Sequence, residues 1–180
     1  MNERLVLVKG NKVSIVAQDK HFGDAEGFAF SRSDAVTLAN IGAYGRTYDA
    51  ETVAKYMPDP SLDIGDKRIF TIIANDDGRY LGDIRLERIE DSPYYQIGIV
   101  IINGERNKGF GSEALKILSQ YAFECLNVDK LYLRVYQNNP KAKKLYMRLG
   151  FSYEKTTDDG YEVDGIHYLE DWLFITSAIA

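Results

Sequence analysis

A chain of 180 residues that is 45% hydrophobic can bury a sizeable core and is most simply one domain, 1–180. Its 22 Lys and Arg against 27 Asp and Glu give a net charge of -5, which argues against a nucleic-acid partner held by phosphate neutralisation and suits a cationic small substrate. The single cysteine, Cys125, allows no internal disulfide, the opening Met-Asn-Glu-Arg-Leu carries no signal-peptide pattern, and no apolar run nears the roughly 20 residues of a membrane span, so a cytoplasmic protein without membrane contact is expected.

Val6 to Val16, interrupted by Lys9-Gly10-Asn11-Lys12, reads as a short hairpin or a frayed end leading into a first strand, where Val13, Ile15 and Ala17 alternate with polar neighbours. Gln18 to Ser31 shows no clear period. Ser33 is placed to cap a helix through Ala43, and Asp49 to cap one that runs to Met57 and is stopped by Pro58 and Pro60. Arg68 to Ala74 and Arg79 to Ile89 are strand-like around the turn Asn75-Asp76-Asp77-Gly78. Tyr94 to Ile102 extends this meander. Gly98 in its interior is either a tolerated small residue or the mark of a bulge or a close backbone approach.

Arg106-Asn107-Lys108-Gly109-Phe110-Gly111-Ser112 follows that strand and opens the most regular helical pattern in the chain, Ser112 to Leu126, with Cys125 on its apolar stripe. Two glycines two apart expose backbone amides at a helix N-terminus, which suits an anion, above all a phosphate. The surrounding residues exclude a Walker loop. Gly109-x-Gly111-x-x-Ala114 fits a dinucleotide pattern, but about half the chain precedes it and the following strand ends in Tyr136-Gln137 rather than an acidic residue. That strand, Leu131 to Tyr136, would lie parallel to the Gly98 strand if the helix is a crossover. Asn139-Pro140 has the form of a cap and first residue of a further helix, which Gly150 ends. Tyr146 stands beside the stripe Ala142, Leu145, Leu149. Phe151 to Thr156 and Gly160 to Ile175 finish with strands, and Asp158, Asp159, Glu162, Asp164, Glu170 and Asp171 make this end acidic. His21 and His167 are far apart and no metal spacing occurs, so no metal is expected.

Arg106-x-x-Gly109-x-Gly111 after a strand resembles the acyl-CoA pyrophosphate loop of the GNAT superfamily of N-acetyltransferases. Asn139-x-x-Ala142-x-x-Leu145-Tyr146-x-x-x-Gly150-Phe151 resembles that superfamily's second signature, in the right order and at a suitable distance. The similarity is clear from about Arg68 to Tyr153. It implies an α/β (α+β layered) fold with a mostly antiparallel central sheet, a parallel strand pair that splays apart, and flanking helices. It also implies acetyl-CoA as acyl donor. The pyrophosphate would rest on Arg106, Asn107, Lys108, Gly109, Phe110, Gly111 and Ser112, and the pantetheine arm would run along Ile99, Val100 and Ile101. Asn139 would lie near the donor, and Tyr146 would protonate the departing thiolate. The Gly98 strand would be bulged, and the acidic end would border the acceptor.

The layout resembles the branch that acts on ribosomal-protein N termini and polyamines, so the expected reaction is acetyl transfer to a primary amine by direct attack. Some members carry a basic glutamate on the strand before Asn139, where this chain has Arg134; Glu87 is taken instead as the base. The expected partners are acetyl-CoA and a cationic amine, with homodimerisation left open. A non-catalytic acyl-CoA-binding module of the same fold is the alternative.

Overall fold

The computed structural model describes residues 3–177. The chain forms eight strands: β1 (Val6–Lys9), β2 (Val13–Ala17), β3 (Lys67–Ala74), β4 (Tyr80–Arg88), β5 (Tyr95–Ile101), β6 (Lys130–Tyr136), β7 (Ser152–Val163) and β8 (Ile166–Thr176). They join in one sheet of order β1-β2-β3-β4-β5-β6-β8-β7, antiparallel except for β5 and β6. The parallel pair requires a crossover, and α4 (Phe110–Cys125) supplies it. One face of the sheet carries α4 and α5 (Pro140–Arg148), which bury Leu115, Leu118, Ala122 and Tyr146 against Ile72, Ile84, Ile97 and Leu133. The other carries α1 (Asp24–Ser31), α2 (Ala35–Asn40) and α3 (Ala50–Tyr56), with α1 packed on β4.

Several local readings change. Gln18 to Ser31, which showed no period, contains α1; its amphipathicity is slight, so docking on β4 rather than sequence pattern holds it helical. Asp34, not Ser33, caps α2, accepting from the Thr37 amide at 2.9 Å, and the helix ends at Asn40. The Asp49 cap stands as read, accepting from the Thr52 amide. Cys125 is exposed rather than on the core face.

The closing hairpin turns at Asp164-Gly165, with Val163 paired to Ile166, and not near Asp159. Both turn residues have positive φ, 52° and 76°, the backbone that an Asp-Gly pair accepts in a two-residue hairpin loop.

Gly98 is not a bulge against β4. The β4–β5 register runs without a shift from Arg88↔Tyr95 to Gly82↔Ile101. What fails is the other edge: β5 pairs with β6 only from Tyr95↔Leu131 to Ile97↔Leu133. The two strands part at Gly98, leaving the β6-facing edge of Gly98–Ile101 without a strand partner.

Candidate functional site

A cleft of about 1400 Å³ opens where β5 and β6 part. Its floor is Ile97 to Ile101 on one side and Leu133 to Tyr136 on the other; the N-terminus of α4 and one face of α5 close one end, and α1, α2 and the following loop close the other. Gly109 is the N-cap of α4, at φ 89°, with no side-chain cap. The first-turn amides of Phe110, Gly111 and Ser112 therefore point out of the helix without a capping acceptor, at the positive end of its dipole. A Cβ at Gly111 would come within 3.2 Å of Ile101 Cγ1, so the absence of a side chain lets the helix start lie against β5.

Ile99, Val100, Ile101, Arg106, Asn107, Gly109, Gly111, Ser112, Asn139 and Tyr146 all line this cleft. Lys108 and Phe110 do not: the Lys108 ammonium turns to Glu105 at 3.1 Å, and the Phe110 ring packs against the core. Arg106 is a staple as much as a cation. Its Nε donates to Ile101 O at 2.9 Å and its Nη2 to Thr37 Oγ1, which ties the loop to α2. Asn139 Oδ1 accepts from the Ala142 amide at 3.2 Å, as a helix cap does. Tyr146 is 8% exposed, and burial pushes its phenol up to about 12, so the hydroxyl keeps its proton at any ordinary pH.

Glu87 is not brought into the cleft lining. Its carboxylate sits 3.1 Å from Lys67 Nζ and accepts from Gln96 Nε2 at 2.9 Å. Burial alone would raise its pKa, but the bond to Lys67 and the charges of Arg85 and Lys67 pull it below the usual range, which weakens it as a base. Three carboxylates do line the cleft, Asp83, Glu105 and Glu170; Glu170, 2% exposed, lies opposite Tyr136 in the β6–β8 register. Burial pushes Glu170 up against the pull of Arg134, whose Nη1 lies 3.3 Å away. Tyr136 is raised by burial and then by the Glu170 charge. The sequence placed Glu170 in an acidic run. Only the strand alternation set by the Asp164-Gly165 turn separates it from Asp171, which is held by Lys143 at 2.7 Å and Thr156 at 2.6 Å.

Of the six carboxylates after Lys155, Glu170 is the one that reaches the cleft. Asp164 instead accepts from Tyr44 at 3.0 Å. Basic side chains dominate the lining: Arg32, Arg46, Arg85, Arg106, Arg134, Lys141, Lys144 and Arg148 against Asp83, Glu105 and Glu170. Arg32 and Asp83 form a buried bidentate pair at 2.7 and 2.9 Å, and the guanidinium is sandwiched over the Phe28 ring at 3.5 Å.

A splayed parallel pair beside a glycine-capped crossover helix is the arrangement that the resemblance to the GNAT superfamily implies. A family model described as an acetyltransferase (GNAT) domain matches residues 19–152, and the chain belongs to this family. Spermidine N(1)-acetyltransferase of Escherichia coli K12 is 45% identical over 56 residues, which is 31% of this chain and 30% of that protein. The chain thus aligns with about a third of that relative's length. The spermidine N-acetyltransferase of Vibrio cholerae, solved in complex with CoA and spermine, superposes with a TM-score of 0.77 at 20% identity, covering 94% of this chain and 98% of that one. A ribosomal-protein α-N-acetyltransferase solved with coenzyme A superposes with a TM-score of 0.77 at 12% identity, over 95% of this chain and 97% of the other. These superpositions establish the same fold. Among the described residues no helix is long and apolar enough to cross a membrane.

Proposed function

We propose that the protein is an N-acetyltransferase that moves an acetyl group from acetyl-CoA to a small primary amine by direct attack within one ternary complex. The observation that carries this reading is the opening of β5 from β6 at Ile97↔Leu133, beside the uncapped start of α4. The amides of Gly109 to Ser112, with Lys141, Lys144 and Arg148 on α5, would hold the phosphates, and the unpartnered edge of Gly98–Ile101 would take the amide-bearing arm. The donor supplies a thioester; the chain supplies orientation and proton handling.

Glu170 replaces Glu87 as the base, because it is buried in the cleft with a raised pKa while Glu87 is outside and depressed. The amine nitrogen bonds the acetyl carbon and the carbon–sulfur bond breaks. Glu170 takes the amine's proton, and Tyr146 gives one to the leaving sulfur and regains it from solvent. A backbone amide of the splayed β5 edge is the donor for the developing oxyanion.

Calorimetric titration with acetyl-CoA, with NADH as control, followed by thiol release with a panel of amines, tests the reading. Saturable acetyl-CoA binding with amine-dependent thiol release supports it. A folded protein that binds no acetyl-CoA refutes it, and binding without turnover on any amine favours the non-catalytic module. A polyamine acceptor is the second reading, favoured by the identity to the Escherichia coli spermidine enzyme; spermidine belongs in the panel for that reason.

A further inference from the structure

Arg85 lies at the centre of β4, directly opposite Gly98 on β5. Because Gly98 has no side chain, the guanidinium lies over its backbone: a Cβ there would stand 3.0 Å from Nη2 and 3.1 Å from Nε. Gly98 is the first residue past the last β5–β6 pair, so this cation stands at the mouth of the splay, where the acetyl group would be delivered. Its Nε is buried without a hydrogen-bond partner. The nearest carboxylate, Glu87, is 3.4 Å from that atom and is already engaged by Lys67 and Gln96.

The neighbouring charges are settled among themselves. Asp83 is taken by Arg32, and Glu170 by Arg134. Arg46, on the loop after α2, lines the same cleft and forms no ion pair among the described residues. Two arginines without a full partner therefore face the acceptor end of the cleft, while each carboxylate that lines the cleft, Asp83, Glu105 and Glu170, already has a basic partner. Arg85, Arg134, Tyr136 and Glu170 all line this cleft, so the base and the spare cation face one cavity. A side pocket of about 300 Å³ shares Phe28, Tyr48 and Ile69 with the cleft; Val53, Tyr56, Met57 and Pro58 give it an apolar wall, the Asp49 carboxylate at its rim is turned to the Thr52 amide, and the Gln18 side-chain amide is buried in its wall and unpartnered at Nε2.

We propose, resting on the acetyltransferase reading above, that the acceptor is an amino acid: a small amine whose carboxylate is received by Arg85 and Arg46 while its amine faces Glu170. Its side chain is uncharged and occupies the pocket beside Phe28 and Tyr48. A planar guanidinium matches a carboxylate through two parallel hydrogen bonds, and this geometry selects for the group and fixes the amine beside it. The reaction forms the nitrogen–carbon amide bond and breaks the thioester as before. The carboxylate is bound and unchanged.

The test uses pairs that differ only in the carboxylate, L-phenylalanine against phenethylamine and L-methionine against its decarboxylated amine, with spermidine alongside. Thiol release and calorimetric binding of each compound are measured on the protein and on its Arg85→Met and Arg85→Lys variants. The amino acids are expected to exceed their amines in kcat/KM by about 10- to 100-fold, the range one charge-assisted pair supplies. Arg85→Met is expected to erase that preference and Arg85→Lys to restore part of it.

Phenethylamine or spermidine turned over as well as the amino acids, or a preference untouched by Arg85→Met, overturns the proposal while leaving the acetyltransferase reading standing. If no amine is turned over, that reading fails on its own, and calorimetry decides this one. Amino-acid binding lost in Arg85→Met supports the carboxylate site, and no binding overturns it.

Discussion

Replacing Gly109 by alanine separates backbone geometry from bulk in the proposed phosphate loop. The φ of 89° places Gly109 in the left-handed region, where an L side chain costs roughly 1–2 kcal/mol. A Cβ there meets nothing closer than Lys12 Nζ at 3.8 Å, so crowding adds nothing. For a chain of this size the cost corresponds to a Tm lowered by about 2–8 °C, which leaves the fold intact. The loop can escape the strain only by rotating its backbone, and that re-aims the amides of Phe110 to Ser112. Losing one or two charge-assisted bonds to phosphate weakens acetyl-CoA binding by about 10- to 100-fold.

Gly111→Ala is the control. Its backbone is unstrained and its one close neighbour, Ile101 Cγ1 at 3.2 Å, belongs to a side chain that can shift. It should therefore cost less affinity than Gly109→Ala. Calorimetry on both variants, with melting curves for folding, gives the answer. A folded Gly109→Ala protein with native affinity for acetyl-CoA would refute the loop assignment.

Tyr146→Phe should lower kcat by about 10²-fold with little change in acetyl-CoA affinity, as expected for a lost general acid; equal turnover removes that role. With the phenol at about 12, the native enzyme should show no fall in rate from Tyr146 up to pH 9.5. As the proposed base, Glu170 would have to be deprotonated, so activity should rise with pH through a value above the ordinary carboxylate range, in line with its raised pKa. Glu170→Gln should abolish that limb in a kcat/KM profile, and a limb that persists assigns the base elsewhere. In Arg32→Met or Asp83→Asn one charge of a pair 8% and 5% exposed is left alone, at a cost of about 3–5 kcal/mol. This is a Tm loss of roughly 6–20 °C, and the double replacement should recover much of it in thermal melts; additive losses would show that the two charges do not act as a pair.

The central fold was legible because its signals are local. The alternation of β3 to β6, the Asn139-Pro140 helix start and the Gly109-x-Gly111 turn each depend on neighbours a few residues away, and the structure bears out all of them. The Asp164-Gly165 turn was also present as a sequence signal, and reading it would have fixed the alternation of β8 and set Glu170 apart from Asp171. α1 could not be read in this way, since it is helical through its packing on β4.

By itself, then, the sequence determined the strand-loop-helix that defines the family, the second block carrying Asn139 and Tyr146, and the strands β3 to β6 around them. Only the tertiary structure decided the charges of the cleft. It withdrew Glu87, Lys108 and most of the acidic terminal run, and it brought Glu170, Arg85 and Arg46 together from β8, β4 and the loop after α2. The physical reason is that charge pairing acts through space. Asp83 is neutralised by Arg32 across 51 residues of chain and Glu170 by Arg134 across 36, and no spacing rule along the sequence encodes which charge is left free.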